Sequence, residues 1–367
     1  MPRYWSIREW DDVSRERVLA HLLRLRTQLH AEVSSRRTLG SVLLATWNIR
    51  DFDSNKFGHG PRLPESFHYI AEIVSAFDLV ALQEVNRDLS ALERVMGILG
   101  DDWNYIVTDT TEGAGGNEER MAFVFDTRKI RFRNIAGEVV LAAGQKIVAA
   151  RKVRSDRSPD EPTIEEDEIQ FARTPFLAAF QAGWFKFNLS TVHIYFGSSS
   201  GVKLQRRVDE INSIAHFFSK RQNREGEDYI LVGDFNIVSP QHRTMEALTN
   251  EGFVIPENLQ REKTNLKGDK HYDQIALKVQ EKRLEIGASG VFDFSKSVFR
   301  DGELPIYRDL IPSDLLVSAS DEEKYYRDKW RTFQMSDHLP MWVQLEVDFT
   351  DDYLESLKPG HHPLADE

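Results

Sequence analysis

The stretch LVGDFNIVSP, residues 231–240, is an apolar run that ends abruptly in polar side chains. Its first residues are typical of a buried β-strand, and Asp234 and Asn236 follow where that strand is predicted to end. A strand that ends in Gly-Asp-x-Asn is also a common turn. Taken alone, the stretch therefore leaves two interpretations open, an ordinary turn and a strand end that carries chemistry.

The composition indicates a globular protein without disulfides. A chain of 367 residues is long enough for one large or two ordinary domains, and 41% of its residues are hydrophobic. The absence of cysteine excludes a disulfide framework, a thiolate zinc site and a cysteine nucleophile. The charged N-terminus lacks the apolar core of a secretory signal, and no run approaches membrane-spanning length. We therefore expect a cytoplasmic protein without stable membrane association.

The charge balance separates two classes of nucleic-acid protein. With 47 basic and 59 acidic residues, the formal net charge is -12. This is opposite to what a tight, non-catalytic nucleic-acid binder needs. An enzyme can still approach phosphates through a local cationic patch and a bound metal ion. The charge thus counts against binding modules more than against enzymes.

The apolar pattern changes once along the chain. Apolar residues at spacings of three and four predict a helix over 11–36, packed on the domain or used as a dimer contact or partner helix. From Val42 onward, short apolar runs predict strands that outnumber the helices. The runs at 175–182 and 184–195, separated by Gly183, predict an antiparallel hairpin. The expected fold class is α/β, with packed mixed sheets and helices outside.

Several predicted strands end, like 231–234, in side chains that can bind a metal ion or a phosphate. These strand-end residues are Asn48, Glu84, His193, Asp234, Asn236, Asp273, Asp337 and His338. Each alone has a simpler explanation, such as a helix cap, an ion-pair partner or a hydrogen-bonded core residue. Their joint occurrence is what favours a shared site.

The motifs around these residues resemble, in the same order, those of the endonuclease/exonuclease/phosphatase superfamily. They are TWNIR (46–50), LQEV (82–85), STVHIY (190–195), GDFN (233–236) and SDHLP (336–340). The resemblance implies a four-layered α/β/β/α sandwich of two mixed, largely antiparallel sheets, with the active site at one end. It also implies that activated water cleaves a phosphoester with the help of a divalent ion.

The resemblance divides the chain into three parts. It implies an N-terminal helical extension at 1–37, a catalytic domain at 38–350 and a C-terminal tail at 351–367. Within the domain, the segment 151–170 has a basic half, an acidic half and two prolines. This composition predicts a mobile, solvated loop between strands.

The resemblance also implies a metal site. Glu84 would be the principal ligand of Mg²⁺, with Mn²⁺ as a substitute and one or two ions bound. Asn48 would support Glu84, and Asp337 would contribute directly or through water. Magnesium suits this set because it prefers carboxylate oxygens and keeps several of its waters.

Catalytic roles follow from the same resemblance. Either Asp234 or the His338 and Asp273 pair would activate the water, and the choice between them stays open. Asn236 would fix the orientation of the water, and His193 would donate to the phosphate.

Three further residues are candidates for phosphate binding. Arg120 and Arg173 lie where the family often places guanidinium groups that contact phosphate, although each could instead form a surface salt bridge. Thr264 opens TNLKGDKHYDQIAL (264–277), which resembles the deoxyribonuclease I branch except that Gln274 replaces an arginine. Two cationic clusters could line the same cleft, namely Lys203, Arg206 and Arg207, and Lys263, Lys267 and Lys270.

These residues support one main hypothesis about function and two alternatives. The main hypothesis is a metal-dependent phosphodiesterase of the deoxyribonuclease I type that acts on nucleic acid, with DNA as the expected substrate. The first alternative is a phosphatase or phosphodiesterase acting on a small phosphorylated molecule or a phospholipid head group. The second is a non-catalytic binding protein, which should have lost at least one site residue. The oligomeric state stays open.

Overall fold

The computed structural model describes residues 1–110, 119–155 and 158–358. The strands are β1 (Ser41–Phe52), β2 (Leu79–Val85), β3 (Trp103–Val107), β4 (Arg120–Asp126), β5 (Ile130–Glu138), β6 (Ile147–Ser155), β7 (Ser158–Ile169), β8 (Phe176–Ala182), β9 (Phe185–His193), β10 (Tyr229–Asp234), β11 (Asp273–Lys278), β12 (Glu285–Val291) and β13 (Met341–Glu346). The α-helices are α1 (Asp12–Glu32), α2 (Pro64–Ser75), α3 (Ser90–Leu99), α4 (Gly201–Glu225), α5 (Arg243–Thr249), α6 (Leu304–Tyr307), α7 (Ser313–Val317), α8 (Glu322–Tyr325), α9 (Arg331–Gln334) and α10 (Thr350–Ser356).

Most of the strands form two mixed sheets. The six-stranded sheet has the order β12-β13-β1-β2-β4-β3, and the five-stranded sheet has the order β11-β10-β9-β8-β5. Each sheet contains one parallel pair, β1 with β2 and β9 with β10, and its other pairs are antiparallel. The mixed, largely antiparallel arrangement expected from the sequence is confirmed.

The apolar side chains place these sheets in the middle of four layers. In β1, Leu44 belongs to the core between the sheets, and Leu43 belongs to the core on the helical side. This alternation follows from the two-residue period of a strand. Helices α1, α2 and α3 cover the six-stranded sheet, and α4 packs on the five-stranded sheet through residues such as Ile211 and Phe218. The α/β sandwich is therefore as predicted.

The N-terminal helix α1 packs on the domain, as one of the two sequence interpretations expected. Asp11 caps it by accepting a hydrogen bond from Ser14 N at 2.9 Å. Its buried stripe of Val18, Leu22, Leu25 and Leu29 is continuous with the core around α2 and β1. This burial accounts for why the apolar residues recur at helical spacing.

Two sequence predictions for neighbouring segments had different outcomes. The predicted hairpin around Gly183 is confirmed, with Ala182 opposite Phe185 and a positive φ of 53° at the glycine. The segment 151–170 was predicted to be a loop, but its residues 151–155 lie in β6 and its residues 158–169 lie in β7, and the two strands pair as an antiparallel ladder. Residues 156 and 157 of this segment lie outside the described residues.

The predicted C-terminal tail begins as a short helix. Helix α10 contacts the β8–β9 turn, where Trp184 Nε1 donates to Thr350 Oγ1 at 3.1 Å. Residues 359–367 of the tail lie outside the described residues. Within the described part of the chain, no helix has both the length and the apolarity needed to cross a membrane.

We predict that α1 contributes directly to the stability of the domain. Leu25→Ala should lower the free energy of unfolding by about 2–5 kcal/mol, because Leu25 is fully buried. The matched control is Leu23→Ala on the same helix, where the side chain is 66% exposed and the expected change is below about 0.5 kcal/mol. Chemical denaturation measures the unfolding free energy of both variants, and equal losses would contradict the packing of α1 on the domain.

Candidate active site

The site lies where the parallel strand pairs of both sheets end. Strands β1 and β2 bring Asn48 and Glu84 to one edge, and β9 and β10 end at His193 and Asp234. Parallel strands place their carboxyl ends at the same edge of a sheet. Asp273, the first residue of β11, lies directly opposite Asp234, which is also level with His193. Three predicted site residues thus form one row across the five-stranded sheet.

His338 reaches this row from the loop that leads into β13. The Ser336 hydroxyl donates to the main-chain oxygen of Asn48 at 2.6 Å and accepts from His338 N at 2.9 Å. The indole of Trp47 donates to the main-chain oxygen of His338 at 3.0 Å. These three bonds hold the His338 loop against β1, which explains why the TWNIR and SDHLP motifs belong to one site.

Two histidines, each paired with a buried carboxylate, face the same third carboxylate. His338 Nδ1 lies 2.8 Å from Asp273 Oδ2, and His193 Nδ1 lies 3.0 Å from Glu119 Oε2. The Nε2 atoms of the two rings lie 3.9 and 3.6 Å from Asp234 Oδ2. A carboxylate on one ring nitrogen fixes the orientation of an imidazole and supports its charged form. The arrangement therefore presents two oriented imidazoles to one small volume.

Hydrogen bonds also fix the carboxylates of Asp234 and Glu84. The Asn48 amide nitrogen lies 2.9 Å from Glu84 Oε1 and 3.3 Å from Asp234 Oδ2. Asp234 Oδ1 accepts from Asn236 N at 2.9 Å, and the Asn236 side chain donates to the main-chain oxygen of Ile194 at 2.8 Å. Asn48 thus donates to Glu84, and its predicted role in supporting a metal ligand stays a prediction, while Asn236 contacts Asp234 through its main chain.

Glu119 is the site residue that the sequence interpretation missed. Its carboxylate lies between His193 and Arg173, whose Nε donates to Glu119 Oε2 at 2.8 Å. Burial alone would raise the pKa of Glu119, but the neighbouring His193 and Arg173 hold it below its usual range. The available signal was a polar residue next to the start of an apolar strand, in EERMAFVFD. The sequence analysis selected Arg120 of that motif as a phosphate-binding candidate instead.

Among the described residues, one group of three side chains can hold a metal ion. Glu84, Glu119 and His193 each offer a ligand atom, and these atoms lie within 4.8 Å of one another. Asp337, predicted as a metal ligand, is instead 45% exposed at its side chain, and its Oδ2 lies 3.0 Å from Arg50 Nη1. Carboxylate oxygens beside an imidazole suit a divalent cation.

Arg120 and Thr264 lie elsewhere than their predicted roles require. The guanidinium of Arg120 donates to the main-chain oxygens of Thr108, at 2.6 Å, and Arg87, at 3.2 Å, so it ties neighbouring loops together. Thr264 is fully buried, and its hydroxyl accepts from Asp273 N at 3.0 Å. Thr264 therefore supports the main chain behind Asp273 rather than facing a substrate.

One of the predicted cationic clusters is largely structural. Arg207 is 2% exposed, and it donates to the main-chain oxygens of Asn236 at 3.0 Å, Phe196 at 2.9 Å and Ser198 at 3.0 Å. Arg206 pairs with Glu210 one helical turn further along. Arg207 thus clamps the loop that follows Asp234 and is unavailable to a substrate.

Backbone strain is concentrated at this end of the sheets. Arg50, Asp51, Glu84 and Asn236 all have positive φ angles, between 43° and 59°. Residues other than glycine adopt this region rarely, and such residues cluster at functional sites. The strain fits a site whose side chains are aimed by the backbone as well as by packing.

Comparisons with known proteins agree on the fold. No protein-family model matches the sequence, and no curated protein matches it. An endonuclease/exonuclease/phosphatase family protein from Bacteroides thetaiotaomicron is similar in structure, with a TM-score of 0.53 and 18% identity over 84% of this chain and 98% of that one. A mannosyl-6-phosphatase from the same organism has a TM-score of 0.51 and 16% identity over 83% and 99% of the two chains.

A third similar structure is the catalytic domain of human Nocturnin with bound sulfate. Its TM-score is 0.50, at 12% identity over 83% of this chain and 94% of that one. Similarity at these identities establishes the fold. The fold is that of the endonuclease/exonuclease/phosphatase superfamily, as the sequence motifs implied. The resemblance to the deoxyribonuclease I branch stays a prediction.

We predict that the Arg207 clamp stabilises the loop carrying Asn236. Arg207→Met keeps the apolar stem but leaves three main-chain carbonyls without their donor, among them that of the buried Asn236, which should cost about 2–4 kcal/mol of unfolding free energy. Lys203→Met, at an exposed position on the same helix, is the control and should change it by less than about 0.5 kcal/mol. A loss no larger for Arg207→Met than for the control would refute the clamp.

We predict that His338 stays protonated at neutral pH in the metal-free protein. Burial lowers its pKa, but the Asp273 and Asp234 carboxylates outweigh burial and raise it well above the usual value. The resulting stabilisation is present below the unfolded pKa of about 6.5 and is lost as pH rises through the folded pKa. Asp273→Asn should lower the pKa of His338 in an NMR titration. An unchanged titration would show that Asp273 does not hold the charge.

Proposed function

We propose that the protein is a divalent-metal-dependent phosphoester hydrolase that cleaves nucleic-acid phosphodiester bonds, with DNA as the expected substrate. The observation that carries the proposal is the convergence of His193 and His338 on Asp234 Oδ2, each ring held by its own carboxylate. The gaps of 3.6 and 3.9 Å at the Nε2 atoms are wider than hydrogen bonds. They suit a site whose hydrogen bonds tighten on a bound group.

In this proposal the chain's own residues bind the phosphate and activate a water. His193 and His338 donate from their Nε2 atoms to phosphate oxygens, where negative charge builds up in the transition state. Asp234, the carboxylate between them, accepts a proton from the attacking water. The alternative base is the His338 and Asp273 pair, which would then act in its neutral form.

A divalent ion fits beside this group. Glu84 would be its main ligand, with Glu119 close enough to contribute. Such an ion would polarise the phosphoryl oxygen and offset charge on the leaving group. Mg²⁺ is the expected ion because carboxylate oxygens are its preferred ligands, with Mn²⁺ as a substitute. Arg173 acts by holding Glu119 in place.

Two classes of substrate are compatible with this chemistry. The TNLKGDKHYDQIAL segment favours the deoxyribonuclease I branch, although Gln274 uses its side chain to donate to the main-chain oxygen of His271 at 2.8 Å. A phosphatase acting on a small phosphorylated molecule is the second candidate, because a mannosyl-6-phosphatase has the same fold. Fold similarity leaves substrate choice to the loops around the site.

Two substrates test the proposal together. Bis(p-nitrophenyl) phosphate reports phosphodiester hydrolysis, and supercoiled plasmid reports DNA nicking. We expect Mg²⁺-dependent activity on both that a chelator abolishes. Asp234→Asn and His338→Ala should each lower kcat at least 100-fold, because they remove groups that act in the transition state.

The controls match the chemistry of the two substitutions at distant sites. Asp101→Asn changes an exposed carboxylate paired with Arg3, and His216→Ala changes a half-exposed histidine on α4. Both should retain activity within twofold. Hydrolysis of the model diester without plasmid nicking would point to the small-molecule alternative. Equal activity in wild type and both active-site variants would reject the assigned site.

A further inference from the structure

A cationic cavity of about 440 Å³ adjoins the proposed catalytic site. Asp337 and His338 form one wall of it. Six cationic side chains and four carboxylates line the cavity; the cationic ones are Arg50, Lys267, Lys270, Arg327, Lys329 and Arg331. A net positive lining is notable in a chain with a net charge of -12, because it concentrates positive charge beside the one histidine that the cavity shares with the catalytic site.

Two of these cations have side chains without a hydrogen-bond or ion-pair partner among the described residues. They are Lys267 and Lys329, and both are exposed. The other cations are at least partly compensated; Arg331, for example, lies 2.7 Å from Asp301 Oδ1. Lys267 and Lys329 are therefore the charges that remain available to an anionic ligand.

The segment that carries Lys329 has an unusual helical geometry. Residues Tyr326–Trp330 form a π-helical turn between α8 and α9. Its two ends are anchored by the fully buried rings of Tyr326 and Trp330, while Arg327 and Lys329 stay exposed. Single π-helical turns are rare and are frequent at functional sites. The turn therefore presents its cationic side chains between two buried aromatic rings.

Arg50 connects the cavity to the catalytic site. It follows Asn48 by two residues, and its guanidinium lies 4.0 Å from the centre of the Phe333 ring. Its Nη1 donates to Thr332 Oγ1 at 2.6 Å and lies 3.0 Å from Asp337 Oδ2. A guanidinium already oriented by a ring and a hydroxyl loses little freedom when it binds an anion.

We propose that this cavity is a subsite for a second phosphate of the substrate, next to the phosphate that is cleaved. The inference rests on the proposed hydrolase function and narrows its substrate class. Guanidinium and ammonium groups in one cavity suit the dense charge of a phosphate better than that of a carboxylate. The substrate thus carries two phosphates, either along a nucleic-acid strand or on one small molecule.

Binding without hydrolysis tests the subsite directly. The probe is a 5′-fluorescein-labelled DNA tetranucleotide, measured by anisotropy in EDTA at low salt. The double variant Lys267→Glu with Lys329→Glu should bind the tetranucleotide at least tenfold more weakly. The slope of log K against log salt concentration should fall in magnitude by about 1–2. The matched control, Lys186→Glu with Lys282→Glu, reverses two exposed lysines at the opposite end of the sheets and should change the Kd less than threefold.

A competition experiment distinguishes the two sources of the second phosphate. Ribose 1,5-bisphosphate and ribose 5-phosphate compete with the labelled tetranucleotide. If the substrate is a small bisphosphate, the bisphosphate should bind at least tenfold tighter than the monophosphate, and the Lys267 and Lys329 substitutions should remove that difference. If the substrate is a nucleic-acid strand, the substitutions should weaken binding of the tetranucleotide, and the two sugar phosphates should bind with equal affinity. Either result supports a second-phosphate subsite.

The experiments can reject the subsite without rejecting the hydrolase function. The subsite is overturned if wild type binds neither probe, or if the Lys267 and Lys329 substitutions weaken both probes no more than the control does. Hydrolysis of bis(p-nitrophenyl) phosphate, which has a single phosphorus, reports the chemistry alone. The double variant should lose at least three times more kcat/KM on the tetranucleotide than on this diester. If wild type does not hydrolyse this diester, the hydrolase function is rejected, and the binding result remains valid.

Discussion

The buried carboxylate of Asp234 is the constraint on which the rest of the site depends. At 2% exposure, a charged group needs compensation from the protein, because water contributes little. That compensation comes from the Asn236 main chain, the Asn48 amide and the imidazoles of His193 and His338. These groups come from both sheets, so the carboxylate can be accommodated only when the sheets are packed face to face. The packing of the two sheets that defines the fold therefore also assembles the site.

Each imidazole needs its own support, since two rings beside one carboxylate must not rotate away. Asp273 supports His338, and Glu119 supports His193. The two pairs are built differently, because Asp273 belongs to the same sheet row as Asp234, whereas Glu119 precedes β4 of the opposite sheet. A change in sheet packing would therefore move one support relative to the other.

Sequence patterns predicted the strand ends well because strand ends are local. An apolar run followed by Asp234 indicates both a strand and its end, and the same holds for His193 and Glu84. The sequence did not reveal Glu119, because a glutamate before a strand is indistinguishable from a solvated one until Arg173 and His193 are placed beside it. Burial of Arg207 was missed for a similar reason. Its three carbonyl partners come from loops on either side, and an arginine in a helical pattern is usually solvated.

The 151–170 segment shows where charge patterning misleads. A basic run followed by an acidic run was interpreted as a solvated loop, yet the same sequence pairs as β6 and β7 once the chain reverses. A charge-rich composition does not exclude strands, because two segments that each lack an apolar pattern can still pair through their main chains. Net charge has the same ambiguity at the scale of the whole molecule. A value of -12 argues against anionic ligands only if charge is evenly spread. Here carboxylates pair with Arg331 and Arg50, while the side chains of Lys267 and Lys329 have no ion-pair partner among the described residues, in the cavity that His338 also lines. An acidic chain can therefore present a cationic approach to a site that must itself hold carboxylates for a metal ion.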